Sequence, residues 1–97
     1  MLAEIQVMPR PAGTAESAYA HVDAAIAVIQ ASGLTYEVHA LGTIAQGSPD
    51  EIWALLRQVH EATLRAGAAS TASVIKLSEG AADAGPTIAD LVTKFRA

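Results

Sequence analysis

The stretch LTYEVHALGTIAQGSPDE, residues 34–51, decides the fold of this chain. Its first part, Leu34 to Ala40, alternates between apolar and polar residues, which predicts a half-buried β-strand. Gly42 provides a turn, and Thr43 to Gln46 predicts a short partner strand. The two segments are therefore expected to form a hairpin, although the turn residues are not those of a typical two-residue loop.

A helix with a well-marked start follows this hairpin. Ser48 is a suitable N-cap, Pro49 takes the first helical position and Glu51 stands at N3, so a capping box is expected. Gly67 is expected to end the helix. The apolar residues between them recur at helical spacing and predict one buried stripe: Ile52, Leu55, Leu56, Val59 and Ala62.

The chain before the hairpin predicts one strand and one helix. Leu2 to Met8 alternates like a strand, and the run Pro9 to Gly13 is expected to break it. Thr14 is a candidate N-cap for a helix that runs to about Ser32. Gly33 then occupies the position where a left-handed residue commonly ends a helix.

The chain after the second helix predicts a last strand and a short helix. Ser70 to Ser78 is rich in residues that favour strands, residues 79–85 form a loose loop, and residues 86–97 carry a C-terminal helix. The order is βαββαβ in a single domain that spans residues 1–97. Two β-α-β units with right-handed crossovers give an α+β, ferredoxin-like fold, in which a four-stranded antiparallel sheet has two helices on one face.

Composition excludes several classes of function. Of the 97 residues 52% are apolar and 16% are charged, the net charge is −4, and cysteine is absent. Without a basic stripe the chain is not expected to bind nucleic acid, and without cysteine it has no disulfides or thiolate metal sites. Residues 1–8 include Glu4 and are not expected to form a signal peptide, and no apolar run of the sequence is long enough to span a membrane. The expected location is the cytoplasm.

The second face of the predicted sheet raises the question of a partner. Two helices cover one face, and the other would carry a mixed set of side chains: Glu4, Gln6, Glu37, His39, Val74 and Lys76. This face is either solvated or packed against the sheet of another subunit. The high apolar content favours the second interpretation, and with it a dimer or tetramer.

Candidate catalytic and metal-binding residues are sparse. The histidines His21, His39 and His60 lie on three different predicted elements without an i, i+4 pair, so structural or surface roles are favoured over a metal site. Glu4 and Glu37 could approach each other on one sheet face and do acid–base work, but pairing with Lys76 or across a subunit boundary is favoured. No nucleophile elbow, P-loop or dinucleotide motif is present. We expect no catalytic residues, metal or cofactor.

Two loops offer the better candidates for a binding site. Gly13-Thr14 lies where the first strand enters the first helix, and Gly42-Thr43 on the hairpin could come near it. Hydroxyls and free N–H groups at a crevice would hold a small polar ligand, although Thr14 serves equally well as a helix cap. Trp53 lies beside the stripe of its helix and is either an edge filler or an interface anchor.

Several runs carry a resemblance to a known family. Residues 34–38, 41–47, 59–62 and 74–77, together with the opening residues 3–5 and 7–9, resemble the small thiamine-binding protein family from residue 2 to about residue 78. The resemblance implies the ferredoxin-like fold and association through sheets into dimers and tetramers. It also implies binding of thiamine, or of its hydroxymethylpyrimidine portion, without catalysis.

The resemblance also suggests a binding site. It implies Thr43 and Glu37 as ligand-binding residues, with Tyr36 and Thr14 nearby. Two positions depart from the family, in which an acidic residue is common at Gln46 and a basic residue at Ser70. We therefore predict a non-enzymatic homo-oligomer that binds thiamine or a pyrimidine precursor. The alternative is a structural or regulatory assembly module without a small-molecule ligand, and an enzyme using Glu37 and His39 is disfavoured.

Overall fold

The structure is a computed structural model that describes residues 1–83 and 85–96, and its elements follow the predicted order. The four strands are β1 (Leu2–Arg10), β2 (Thr35–His39), β3 (Gly42–Gln46) and β4 (Ser70–Ser78). The three α-helices are α1 (Ala20–Ala31), α2 (Pro49–Ala66) and α3 (Ile88–Val92). Short 3₁₀ turns at Ala81–Asp83 and Thr93–Phe95 complete the described chain. Ala84 and Ala97, which fall in the predicted loop and C-terminal helix, lie outside the described residues.

The strands form one antiparallel sheet in the order β2-β3-β1-β4, as the ferredoxin-like prediction requires. β1 lies at the centre and pairs with β4 along nine residues, from Leu2 opposite Ser78 to Arg10 opposite Ser70. The other neighbour of β1 is β3, which the hairpin joins to β2. β2 and β4 are therefore the edge strands.

The core lies between the sheet and the two long helices. Ala3 and Ile5 of β1 point to the same face as Ala45 of β3, because side chains directly opposite on paired strands share a face. Against them pack the buried stripe residues of the helices, which include Ala25, Ile29, Ile52, Leu55, Leu56 and Val59. Both long helices thus cover one face, as predicted.

The cap of α2 is confirmed and the predicted cap of α1 is wrong. Ser48 accepts a hydrogen bond from the N–H of Glu51 at 3.2 Å, and Glu51 accepts one from the N–H of Ser48 at 2.9 Å. α1 begins at Ala20 rather than after Thr14, because residues 13–18 fold into a separate turn. Gly33, with φ +78°, follows the end of α1 in the expected left-handed conformation.

Two strand ends also differ from the prediction. β1 continues through Pro9 to Arg10, because proline interrupts a strand less when its missing N–H is not needed for pairing. The hairpin turn consists of residues 40–41, so Gly42 belongs to β3 and pairs with His39. A Cβ at Gly42 would lie 3.3 Å from the Glu4 side chain and from the Ile5 carbonyl oxygen, so close packing across β1 and β3 favours glycine there.

The C-terminal segment covers part of the sheet face that was predicted to be open. Ile88 at the start of α3 is buried, and its N–H donates to the side-chain oxygen of Gln46 at 2.8 Å. Arg96 donates to Glu37 at 2.7 Å. The β2–β3 half of this face is therefore covered, and the β1–β4 half is not. In the described chain no helix is long and apolar enough to cross a membrane.

Candidate functional site

A cavity of about 230 Å³ opens between α1 and the sheet, at the end where the β2–β3 hairpin turns. Its floor is formed by Ile5, Val7 and Thr43 of the central strands. Val22 and Ile26 of α1 form one wall, and the hairpin residues 39–42 form the other. Towards the end of α1 the cavity closes, because the side chain of Ile29 is fully buried against the sheet.

Thr43 provides a polar group inside this cavity. It faces the helices because it pairs with Ile5 on one side and Val38 on the other, and its residue surface is 4% exposed. Within the part of the chain that the structure describes, its hydroxyl makes no hydrogen bond, and its oxygen is not completely enclosed by protein. A hydroxyl that faces a cavity without a protein partner can form a hydrogen bond with water or with a ligand there.

The mouth of the cavity carries two exposed apolar side chains. Tyr19 precedes α1 and Leu41 lies in the hairpin turn, with 66% and 78% of their surfaces exposed. Among the described residues that line the cavity there is no Lys, Arg, Asp or Glu. A small, mostly apolar cavity with a few polar groups is the usual form of a site for a small organic ligand.

Thr14 lies outside this cavity. It is exposed, and its hydroxyl accepts a hydrogen bond from the N–H of Ser17 at 3.2 Å. In the same turn the carbonyl of Ser17 accepts a hydrogen bond from the N–H of Ala20 at 3.2 Å. Just before the turn, the carbonyl of Ala12 accepts one from the N–H of His21 at 2.9 Å. Two N–H groups at the start of α1 are thereby satisfied within the chain.

Tyr36 and Glu37 lie on opposite faces of β2. Tyr36 is opposite Ala45 and packs against the core. Glu37 is on the other face, where its carboxylate accepts hydrogen bonds from Arg96 at 2.7 Å and from His39 at 3.2 Å. A shallow depression beside α3 includes Glu37 and Arg96. The structure thus does not bring Thr43, Glu37, Tyr36 and Thr14 together around one cavity.

The remaining ionisable candidates have local partners. His21 is buried and donates from Nδ1 to the carbonyl of Pro11 at 2.7 Å, while His60 shares a hydrogen bond of 2.6 Å with Ser73. Glu4 lies 4.0 Å from Lys76, the pairing that the sequence favoured. A search of the described residues finds no group of three potential metal ligands.

Sequence reasoning named Thr43 as a candidate for ligand binding but did not predict the cavity that it lines. Tyr19, Val22 and Ile26 follow one another at i, i+3 and i+7, a spacing that places them on one side of the first helix. That spacing was a usable signal for the wall and mouth of the cavity. The spacing did not reveal the cavity because the predicted helix began at Thr14. That start made Tyr19 an interior residue of the helix, whereas in the structure Tyr19 is the residue before the first turn.

The match to a family model identifies the class of protein. The model described as thiamine-binding protein matches residues 3–96, so the chain belongs to the thiamine-binding protein family, and the resemblance seen in the sequence is confirmed. The family is named for binding rather than for a reaction. A search of the curated proteins finds no match.

Solved structures support the same assignment. The chain is similar to a domain of unknown function, DUF77, from Bacillus cereus, with 31% identity, a TM-score of 0.85, and coverage of 98% of this chain and 88% of that one. It is also similar to a protein from Thermotoga maritima that is provisionally assigned to thiamine biosynthesis or salvage. That pair has 25% identity, a TM-score of 0.81, and coverage of 98% and 97%. A hypothetical protein from Methanocaldococcus jannascii has 28% identity, a TM-score of 0.77, and coverage of 97% and 93%.

Proposed function

We propose that this chain binds thiamine, or a compound that carries the hydroxymethylpyrimidine ring of thiamine, in the cavity between α1 and the sheet. The protein acts by binding and catalyses no reaction. Membership of the thiamine-binding protein family supports the ligand class. The single observation that carries the location is the hydroxyl of the buried residue Thr43, which faces the cavity and has no hydrogen-bond partner in the described chain.

The shape of the cavity suits one ring of such a ligand. Its volume of about 230 Å³ is smaller than the roughly 300–1,000 Å³ of pockets that enclose a drug-sized molecule. The aminopyrimidine ring enters and meets the Thr43 hydroxyl, while the apolar side chains of Val22 and Ile26 contact its faces. The rest of the ligand lies at the mouth, where the exposed ring of Tyr19 can contact a cationic thiazolium.

Thermal unfolding tests this proposal against a ligand-free assembly role. A ligand at 100 times its dissociation constant stabilises the folded protein by about 2.7 kcal/mol. We expect a rise in melting temperature with thiamine or hydroxymethylpyrimidine at saturating concentration. If neither compound nor a thiamine phosphate shifts the melting temperature, the binding proposal is wrong and the structural or regulatory alternative is favoured.

The Thr43→Val substitution tests the location of the site. Valine keeps the shape of threonine and removes the hydroxyl, so a hydrogen bond worth about 0.5–1.5 kcal/mol is lost and the ligand binds roughly 2–12-fold more weakly. Calorimetric titration measures this change. Thr63→Val is the matched control, because Thr63 is also buried but donates to the carbonyl of His60 on α2, outside the cavity. Unchanged affinity in T43V would remove Thr43 from the site.

Tyr36, Glu37 and Thr14 stay in the proposal as residues to be tested. The variants Y36F, E37Q and T14V each remove one polar group that the family resemblance implies for ligand binding. Loss of affinity in any of them would extend the site beyond the cavity. Full affinity in all three would restrict it to the residues around Thr43.

Self-association forms the last part of the proposed function. The exposed apolar side chains of the sheet support a homo-oligomer, either a dimer or a tetramer. Light scattering at micromolar concentration measures this directly, and the mass of a single chain would contradict it. The cytoplasmic location stays a prediction, which fractionation of cells that express the chain can test.

A further inference from the structure

His21 is a buried histidine in the first turn of α1, next to the proposed binding site but not part of its lining. Its residue surface is 4% exposed. Buried polar side chains need hydrogen-bond partners, so the contacts of its ring indicate what it does. Tyr19 and Val22, which lie close to it in the chain, both line the cavity. A change in the place of His21 would therefore move the site.

Two hydrogen bonds join His21 to the segment that follows β1. Its ring donates from Nδ1 to the carbonyl of Pro11 at 2.7 Å, and its backbone N–H donates to the carbonyl of Ala12 at 2.9 Å. The preceding carbonyl, that of Arg10, accepts a hydrogen bond from the N–H of Ala69 at 2.8 Å. Since Arg10 ends β1 and Ala69 directly precedes β4, this segment is fixed to the sheet. His21 therefore ties the start of α1 to the sheet.

The other side of the His21 ring faces the end of α2. A Cβ on Gly67, the residue that follows α2, would lie 3.2 Å from Nε2 and 3.8 Å from Cε1 of this ring. Glycine at this position leaves room for the ring. The ring is thus held between the carbonyl of Pro11 and the backbone at the end of α2, which fixes its orientation.

The start of α1 has no side-chain cap of its own. Tyr19 takes the N-cap position and its side chain makes no capping hydrogen bond, whereas Ser48 caps α2. The carbonyl of Ser17 accepts the N–H of Ala20 at 3.2 Å, but this bond lies within the turn that leads into the helix. Among the residues that the structure describes, the hydrogen bonds from this end of α1 to the segment after β1 come from His21.

We propose that His21 is a positioning residue for the ligand site, because its hydrogen bond to Pro11 fixes the start of α1. The place of this turn determines where Tyr19 lies at the mouth of the cavity and where Val22 lies in its wall. Binding groups must be held within about 0.5 Å of their productive positions by residues that hydrogen bonds lock in place. The inference rests on the proposed function and adds to it a residue that does not touch the ligand.

Replacement of the His21 ring tests the hydrogen bond. H21L removes the donor to the carbonyl of Pro11, so the start of α1 is no longer fixed. We expect the affinity for thiamine, measured by calorimetric titration, to fall at least about fivefold. H21N should bind within about twofold of the unmodified chain. The asparagine side-chain nitrogen, like Nδ1 of histidine, is bonded to Cγ and donates to the same carbonyl.

His60→Leu is the matched control. His60 shares a hydrogen bond of 2.6 Å with Ser73, which joins α2 to β4 outside the cavity. H60L thus also removes a hydrogen bond from a histidine Nδ1 that joins a helix to another element. Its affinity for thiamine should stay within about twofold of that of the unmodified chain. A loss in H60L as large as that in H21L would overturn the inference, because destabilisation alone would then explain both.

Hydrogen exchange in the unmodified chain provides a test that does not depend on the folding of a variant. Linkage is reciprocal, so a contact that favours ligand binding is itself stabilised by the ligand. Saturating thiamine should slow the exchange of the His21 N–H by a larger factor than that of the Ile52 N–H, as measured by NMR. Ile52 is the matched reference, since its N–H bonds to the carbonyl of Ser48 at the start of α2, at 2.9 Å. Equal factors at both positions would overturn the inference.

The outcomes separate this inference from the binding proposal. If the unmodified chain binds neither thiamine nor hydroxymethylpyrimidine, the proposed function is wrong and the role of His21 is overturned with it. If the unmodified chain binds thiamine and H21L, shown to be folded by circular dichroism, binds it equally tightly, the inference alone is wrong. An H21N variant that binds as weakly as H21L would also overturn it, since the hydrogen bond to Pro11 would then not be the cause.

Discussion

Gly13 is the glycine whose replacement the structure tolerates least. A Cβ on Gly13 would lie 2.2 Å from the carbonyl oxygen of Ser17 and 2.5 Å from the carbonyl carbon of Ala18. Both are backbone atoms, so a side-chain rotation cannot relieve the overlap. The turn of residues 13–18, in which the Ser17 carbonyl accepts the N–H of Ala20 at the start of α1, therefore depends on glycine at this position.

The Gly13→Ala substitution is expected to lower the free energy of unfolding by about 1–3 kcal/mol, since overpacking forces the turn to open. Urea unfolding measures this loss. Gly33→Asn is a matched control, because Gly33 has φ +78° but open space around it, and asparagine tolerates that conformation. A G13A loss no larger than that of G33N would contradict the steric argument.

At the residue scale, the sequence made Thr43 a candidate for ligand binding, which stays a prediction, but it did not predict the side chains around it. A threonine beside a hairpin glycine is visible in the sequence. That Tyr19 and Ile26 line the same cavity depends on how the first turns of α1 are placed over the sheet, and local patterns do not encode that placement. Glu37 shows the same limit, because its contact with Arg96 joins residues that are 59 positions apart.

The long helix α2 and the short helix α3 both begin with a capping box. Ser48 and Glu51 form a capping box at α2, and Thr87 and Asp90 form one at α3. Hydrogen bonds from Ser48 hold the pKa of Glu51 below its usual value of 4.5, and hydrogen bonds from Thr87 lower the pKa of Asp90 in the same way. Ionised carboxylates also interact favourably with the first turn of a helix.

The pH dependence of stability follows from the lowered pKa of Glu51. A carboxylate whose pKa is lower in the folded state stabilises the fold above its unfolded pKa, and this contribution disappears as the pH falls through the folded value. The excess stability of the unmodified chain over E51Q should therefore be full at about pH 6 and shrink below about pH 4.5. Urea unfolding at several pH values measures it.

The control for this experiment is Glu79→Gln, which changes an exposed carboxylate outside any helix cap. E79Q should not reproduce the difference between the unmodified chain and E51Q. A difference that stays constant from about pH 6 to about pH 3 would show that the Glu51 charge does not stabilise the cap.

At the element scale, the order of strands and helices could be predicted because each element carries a local signal. Alternation marks β1, and the Ser48-Pro49 pair marks the start of α2. The start of α1 was predicted wrongly, because Thr14 is a good cap by residue type but its hydroxyl bonds to Ser17 in a separate turn. The docking of α3 had no local signal, since Gln46 and Ile88 are 42 residues apart.

Over the whole molecule, the C-terminal segment depends on few contacts. α3 has five residues and is held to the sheet by the burial of Ile88, by Gln46 and by the ion pair of Arg96 with Glu37. The central strand β1 is paired on both sides and covered by both long helices. Segments with few buried contacts open more readily than the rest of a fold.

The Ile88→Ala substitution should therefore release the C-terminal segment without unfolding the domain. We expect faster hydrogen exchange in residues 86–96 and unchanged protection in β1, measured by mass spectrometry of peptides. Leu91→Ala is the matched control, because Leu91 belongs to the same helix but is half exposed. Equal loss of protection in β1 would show that the segment is part of the global folding unit.

The edge strand β2 also bears on aggregation. It is five residues long, and Glu37 on it is already bonded to Arg96 and His39. Short and charged edge strands resist the addition of further strands, so this edge is protected against growth of the sheet into a fibre.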